Sequence, residues 1–446
     1  MKYGKFFNGI GVSEYDNSAF HTIVGCDVHS KPGSITGSLA MVRADSVVDA
    51  LCKSKVTLPN GDTFFGSSTS GKIWKCTSSG TVSLVHTDTQ GSILGMGYFA
   101  GYLFYAAASK LGRIAEANAS SEASWSSQND SWATFTNADS AYHPMVEQNL
   151  SLFIGDGKYV ASVDAALSFS ANALDLQTHH RVTTLHPYEN DLLIGTIVGA
   201  SNNRSGIFRW DTYSPSWTTE DYVDEVGVNC FIPADDVVFI QVGTIGNIYY
   251  YTGSKAKKFK RLRDGRNSLT TSVNAYASAN LNGLPLIGTT RGIYSLGRGD
   301  ESLPIAQVIE YVPSQGQGTT IGAVAAVGSQ VFAAYQNGSN YGIDKLDTNK
   351  YSGFIETPLY VGSPDRVTAA YDSLPSGTAI AMSTSIDGGS YTSQTVEKDD
   401  EDNREYRLKD LAVTKSTLQV RFTLTASGAN SPTVREFNIS TGEEEK

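Results

Sequence analysis

Lys255-Ala256-Lys257-Lys258-Phe259-Lys260-Arg261-Leu262-Arg263, with Arg266 after it, is the strongest local charge anomaly in an otherwise acidic chain. A run of this kind can hold an anion: an acidic neighbouring protein or a phosphorylated surface glycan. Lysines also line exposed edge strands to block sheet-to-sheet pairing, which is the competing reading. Aromatics do not interleave densely enough for single-stranded nucleic acid to stack on it. His179, His180 and His186 lie near Glu189 and Asp191. A metal needs its ligands to converge within about 2.2 Å, and adjacent residues on a strand point to opposite faces. The cluster therefore reads as an entry strand and turn. Cys26, Cys52, Cys76 and Cys230 are scattered with no C-x-x-C pair, so no zinc site is expected. A Cys52–Cys76 pairing is conceivable but not required.

Glycoside hydrolysis needs two carboxylates about 5–10 Å apart across the sugar. The apolar runs of the chain supply no such pair, and Asp235-Asp236 reads as a solvated turn. No catalytic, cofactor-binding or metal-binding residues are assigned. Trp125, Trp132, Tyr213 and Trp217 lie in or near longer inserts, where exposed rings could stack on sugars. Packing between sheets is the competing role.

The elements that must carry these residues follow from composition and repetition. The 446 residues hold 34 Lys+Arg and 45 Asp+Glu, a net charge of −11, which argues against nucleic acid as the main partner. Charged residues make up 18%, below the roughly 25% usual for soluble domains. Glycine numbers 43, with abundant Tyr and Phe, a composition suited to many short strands and tight turns. Four cysteines cannot form a disulfide framework. No apolar run reaches the roughly 18 residues of a spanning helix, so no membrane insertion is expected, and the N-terminus shows no secretory signal.

One phrase recurs: an apolar run, a few small residues, then Gly followed by an apolar or aromatic residue. It begins as Phe64-Phe65-Gly66 with Gly71-Lys72-Ile73-Trp74 and ends as Val331-Phe332-Ala333-Ala334 with Gly342-Ile343. The marker glycines are Gly71, Gly112, Gly157, Gly206, Gly246, Gly292 and Gly342, separated by 41, 45, 49, 40, 46 and 50 residues. That is the period of propeller blades, about 40–50 residues. Each apolar run reads as a strand buried on both faces, and Gly supplies the positive φ of the reversal. The expected fold is all-β: a seven-bladed β-propeller over 46–360, then a small C-terminal antiparallel β-sandwich and polar tail over 361–446. Residues 1–45 form an N-terminal arm, and a strand near Ser38–Val42 is expected to close the last blade.

Ser385-Ile386-Asp387-Gly388-Gly389-Ser390-Tyr391-Thr392 matches the Ser, Asp and Gly spacing of an Asp-box, with the aromatic one position early. It occurs once and outside the repeats, and it reads as a hairpin turn. It keeps open an alternative, a carbohydrate-binding or glycan-processing, sialidase-like propeller.

His29-Ser30-Lys31-Pro32-Gly33-Ser34-Ile35 ahead of the array, then Leu374-Pro375-Ser376-Gly377-Thr378-Ala379-Ile380, Asp387-Gly388-Gly389 and Val420-Arg421-Phe422, resemble the propeller-bearing structural proteins of tailed bacteriophage virions. The resemblance implies a non-enzymatic virion component, in the tail or host-facing apparatus, mediating assembly or attachment without a cofactor. It implies assembly in the host cytoplasm into a symmetric homo-oligomer. Other virion proteins are the implied partners, with a host surface glycan as a candidate ligand. It carries no catalytic residues over to this chain.

Overall fold

The computed structural model describes residues 2–3, 9–11, 19–45, 48–126, 129–137, 141–199, 202–234, 237–265, 269–298, 305–362, 366–395, 397–398, 405–408 and 416–440. The chain is all-β and repeats one unit, an antiparallel meander of four strands. The first sheet is Cys52–Thr57, Thr63–Ser67, Lys72–Cys76 and Val82–Thr87. The second runs from Ile93–Phe99 to Ala133–Thr134, the third from Met145–Gln148 to Phe169–Asp175, and the fourth from Arg181–Tyr188 to Thr219–Val223. The fifth runs from Val228–Pro233 to Ala256–Arg261 and the sixth from Ser278–Leu281 to Ala306–Tyr311. The seventh is Thr320–Val327, Gln330–Asn337, Asn340–Lys350 and, from the arm, Leu39–Asp45.

The first strands of successive sheets neighbour one another, and that of the seventh neighbours that of the first, so the sheets stand round a common axis. This is the architecture of a β-propeller. Apolar cores lie between consecutive sheets. Phe64 and Ile73 of the first meet Met96 and Leu103 of the second. Phe332 and Ile343 of the seventh meet Phe65 and Trp74 of the first. A second strand such as Thr63–Ser67 is therefore buried at every position. Its side chains feed two cores at once, which is why it reads as an unbroken apolar run.

The marker glycines divide into two kinds. Gly71, Gly157, Gly246 and Gly292 have positive φ, at 68°, 61°, 74° and 123°. Gly112, Gly206 and Gly342 instead sit inside strands, Gly112 and Gly342 directly opposite Tyr105 and Tyr335. A Cβ at Gly342 would come within 2.6 Å of the Tyr335 hydroxyl, so this glycine makes room for a ring rather than a turn. The first strands carry a bulge near their start in several sheets, as at Cys52/Ser54, Val182/Thr184 and Val228/Cys230.

Strands of the arm enter two structures. Leu39–Asp45 pairs with Asn340–Lys350 in the register Leu346↔Met41 and Lys345↔Val42. Thr22–Val24 lies between the sixth sheet, through the parallel pair Val24↔Ile309, and Phe354–Glu356. Phe354–Glu356 then pairs with Ser416–Thr425, which pairs with Ala379–Ile386. A single sheet of ten strands therefore runs from the sixth meander into the C-terminal part. Facing it is a sheet containing Arg366–Tyr371, Glu405–Leu408 and Thr433–Ser440, joined by Lys2–Tyr3, Cys26–Asp27 and Ile35–Gly37 of the arm. The boundary drawn at 361 falls inside this paired region, because the backbone of Phe354–Glu356 is already satisfied by Arg421–Thr423. Between the two sheets the rings of Phe422 and Phe437 stack at 3.6 Å.

Met41 is buried in the core that also holds Leu346, Val331 and Tyr311. Met41→Ala is expected to cost about 2–4 kcal/mol through cavity formation, read as a lower urea midpoint. Arg43→Ala, on the same strand but exposed, should cost under about 1 kcal/mol.

Candidate functional site

Ligands of propeller-like rings approach either along the axis or across the faces. The axis here is closed by one side chain. Tyr276 precedes the first strand of the sixth sheet, and its hydroxyl reaches the first strands of the second and third sheets. The hydroxyl accepts from Met96 N–H at 2.9 Å and Met145 N–H at 3.2 Å. It stands 3.1 Å from Met96 C=O and 3.2 Å from His143 C=O, either of which can take its proton. The Tyr276 carbonyl accepts from Val324 N–H of the seventh sheet. One tyrosine therefore ties four sheets together.

Two cavities flank this plug. The smaller, about 50 Å³, is bounded by Lys53, His143, Thr183 and Tyr276. The larger, about 370 Å³, is bounded by Lys55, Met96, Tyr98, Met145, Glu147, Leu185 and Tyr276. Glu147 is the one carboxylate residue lining either cavity among the described residues. A facing pair of carboxylates for glycoside hydrolysis is thus not assembled there among the described residues. Lys55 has no hydrogen-bond or ion-pair partner among the described residues, and burial lowers its ammonium to about 8.

The basic run forms the outermost strand of the fifth sheet and the turn after it. Lys255, Lys257, Lys258 and Arg261 are exposed, while Lys260 and Arg263 are half-buried. Lys258 pairs with Glu225 at 3.5 Å, Lys260 donates to the Ile305 carbonyl, and Arg261 donates to the Ile245 carbonyl at 3.1 Å. Burial, with Arg261 nearby, lowers the Arg263 guanidinium. Arg266 lies outside the described residues, as do Asp235 and Asp236. Part of this charge is therefore engaged in structure, and the outward face is carried by Lys255 and Lys257.

The four aromatic candidates are not brought together. Trp125 is buried, stacks on His86 at 4.7 Å and donates from Nε1 to the Ala119 carbonyl at 3.0 Å. A ring so enclosed has no free face for a sugar, which corrects its assignment. Trp132 is half-buried under the Arg113 guanidinium at 4.1 Å. Trp217 packs on Phe208 and donates to Glu220. Tyr213 is 80% exposed and keeps both faces open.

His180 donates to or accepts from Thr196 Oγ1 at 2.8 Å, and burial lowers both His180 and His186 to about 4. All four cysteines are buried and free, so no Cys52–Cys76 disulfide is present. The Asp-box-like segment is a hairpin turn. Asp387 has φ 48°, Ser385 Oγ donates to the Gly389 carbonyl at 2.6 Å, and Asp387 Oδ1 accepts from Thr417 N–H at 2.9 Å. One group of side chains among the described residues has metal-ligand spacing: His86, Asp88 and Asp130, with ligand atoms within 4.8 Å of one another. Neither this group nor Tyr276 is marked by a local motif, since Asp130 is distant in sequence from His86 and Asp88.

No protein-family model and no curated protein sequence matches the chain. Solved structures do resemble it in fold. A streptogramin B lyase is 12% identical, with a TM-score of 0.51 over 70% of this chain and 98% of that one. It is a propeller and an enzyme. A virginiamycin B lyase from Staphylococcus aureus is 12% identical, with a TM-score of 0.48 over 69% of this chain and 99% of that one. The computationally designed Ika8 protein is 10% identical, with a TM-score of 0.43 over 89% of this chain and 99% of that one. At such identity the likeness to the streptogramin B lyase establishes the β-propeller fold and nothing about chemistry.

Tyr276→Phe removes a hydroxyl on which two backbone N–H groups rely. The expected loss is about 1–3 kcal/mol, seen as a lower melting temperature with no change in far-ultraviolet circular dichroism. Lys55 titrates below an unfolded lysine, at roughly 10.4. Between about 8 and that value the unfolded chain holds the proton more than the folded one, so stability rises with pH. Lys55→Met is expected to stabilise the protein at pH 7, despite Glu147 across the cavity, and the gain should shrink above pH 8 in melts taken from pH 7 to 10.

Proposed function

We propose that this chain is a non-enzymatic structural and interaction protein of a bacteriophage virion, placed in the tail or host-facing apparatus. In this reading the ring is a seven-bladed propeller, and the facing C-terminal sheets form a sandwich that docks on neighbouring virion proteins. Several copies assemble symmetrically, in the host cytoplasm, around the particle axis. The observation that carries the scaffold reading is the unbroken ten-stranded sheet from the sixth meander through the arm to Ser416–Thr425. It couples the ring to the terminal sheets without a linker, as a module that transmits force between neighbours requires. The Tyr276 plug, and Glu147 as the one carboxylate lining its flanking cavities among the described residues, support the non-catalytic reading. The virion assignment is supported by the resemblance carried by His29–Ile35 and the C-terminal motifs. The exposed Lys255 and Lys257 offer a docking face for an acidic neighbour.

The glycan reading is favoured by one feature, the exposed ring of Tyr213. Mass spectrometry of purified particles, with averaged electron microscopy of antibody-labelled tails, tests the virion reading. The chain is expected at fixed stoichiometry in one symmetric layer. Its absence from particles overturns the virion reading, and turnover on a glycan panel replaces it with the glycan-processing one.

A further inference from the structure

Between the first and second sheets lies a polar pocket that the scaffold role does not use. His86 is on Val82–Thr87, the outermost strand of the first sheet, and Asp88 follows it in the turn. Asp130 comes from a short turn, Asn129–Ser131, in the insert that precedes the last strand of the second sheet. Asp88 is 4% exposed and Asp130 1%. His86 Nε2 stands 2.6 Å from Asp130 Oδ1. The same oxygen accepts from the Tyr105 hydroxyl at 2.9 Å, and Asp130 Oδ2 accepts from Thr89 N–H and Oγ1 at 3.3 Å. Asp88 Oδ1 accepts from Gln90 N–H, but its Oδ2 is buried with no partner.

That orphan oxygen is the anomaly. Two carboxylates have been drawn into one buried cluster, one of them with an unanswered lone pair. A cation or an ordered water would answer it.

We propose that His86, Asp88 and Asp130 form a binding site for a first-row divalent cation of the zinc or manganese type, clamping the first sheet to the insert of the second. One imidazole nitrogen and two carboxylate oxygens are the donors such ions take, and no thiolate is present to favour softer ions. Ligand atoms about 2.0–2.2 Å from an ion lie roughly 3 Å apart, a span this group reaches with small side-chain shifts from its present spacing. Tyr105 would hold Asp130 in orientation, and Trp125, stacked on the His86 ring, would fix the imidazole plane. The site is structural, since its donors come from two sheets and its surroundings are packed.

The test uses the full chain after chelator treatment and dialysis. Zinc chloride and manganese chloride are titrated separately by calorimetry at pH 7.5, with melting temperature read in parallel. One equivalent bound per chain is expected, with a rise in melting temperature of roughly 3 °C at a hundredfold excess over Kd. Asp88→Asn keeps the shape and removes the charge, so it should fold without metal at least as well as the parent while losing the metal-dependent rise. Asp130→Asn should lose it too. Cobalt substitution should give visible absorption in the parent and not in Asp88→Asn. No binding by the parent at millimolar metal, or an equal rise in both variants, overturns the proposal.

Discussion

A sheet pressed between neighbours on both faces is stable only while both neighbours are present. Every sheet of this ring is in that position, so the whole depends on the pairing of Leu39–Asp45 with Asn340–Lys350. Without that strand the seventh sheet would show a long open edge beside the core of Leu346 and Tyr335. The backbone ladder closes the edge, and Met41 fills the core behind it. The same arm, a few residues earlier, supplies Thr22–Val24 to the ten-stranded sheet and Ile35–Gly37 to the sheet facing it. One short segment thus satisfies the open edges of three sheets.

Polar groups near the axis follow a consistent logic. A first strand cannot be wholly apolar where the ring narrows, because neighbouring backbones approach closely. Ser54 Oγ donates to the Ile93 carbonyl at 3.1 Å, Thr183 Oγ1 to the Val228 carbonyl at 2.6 Å, and Asn274 Nδ2 to the Gly322 carbonyl at 2.6 Å. Each bond joins one sheet to another. Each carbonyl lies at a bulge of its own strand, where the ladder is interrupted. Tyr276 does the same across the full width of the axis.

The second and third strands of the units were legible in the sequence because their physics is local. A strand buried on both faces must be apolar throughout, and the glycine beside it must turn or make room. The first strands were not legible. Cys52-Lys53-Ser54-Lys55-Val56-Thr57 mixes small, basic and apolar residues, and its bulge breaks the two-residue period that alternation relies on. The basic run was visible as charge, but the ties of Lys258 to Glu225 and Lys260 to Ile305 depend on distant loops. Trp125 looked like a loop aromatic, since nothing near it in sequence shows that His86 comes to lie against its ring. The grouping of His86, Asp88 and Asp130 is likewise a product of two sheets meeting.

The closing strand also sets an order of events during synthesis. Leu39–Asp45 leaves the ribosome early, yet its partner Asn340–Lys350 emerges only after the other six meanders have been made. For that interval the nascent chain carries an unpaired strand, and the growing ring ends in an uncovered sheet. At elongation rates of about 5–20 residues per second the wait lasts from roughly 15 to 60 seconds. Crowded polysomes making many copies at once would bring such edges together. In such a chain the arm strand stays unpaired with its final partner until the last sheet arrives.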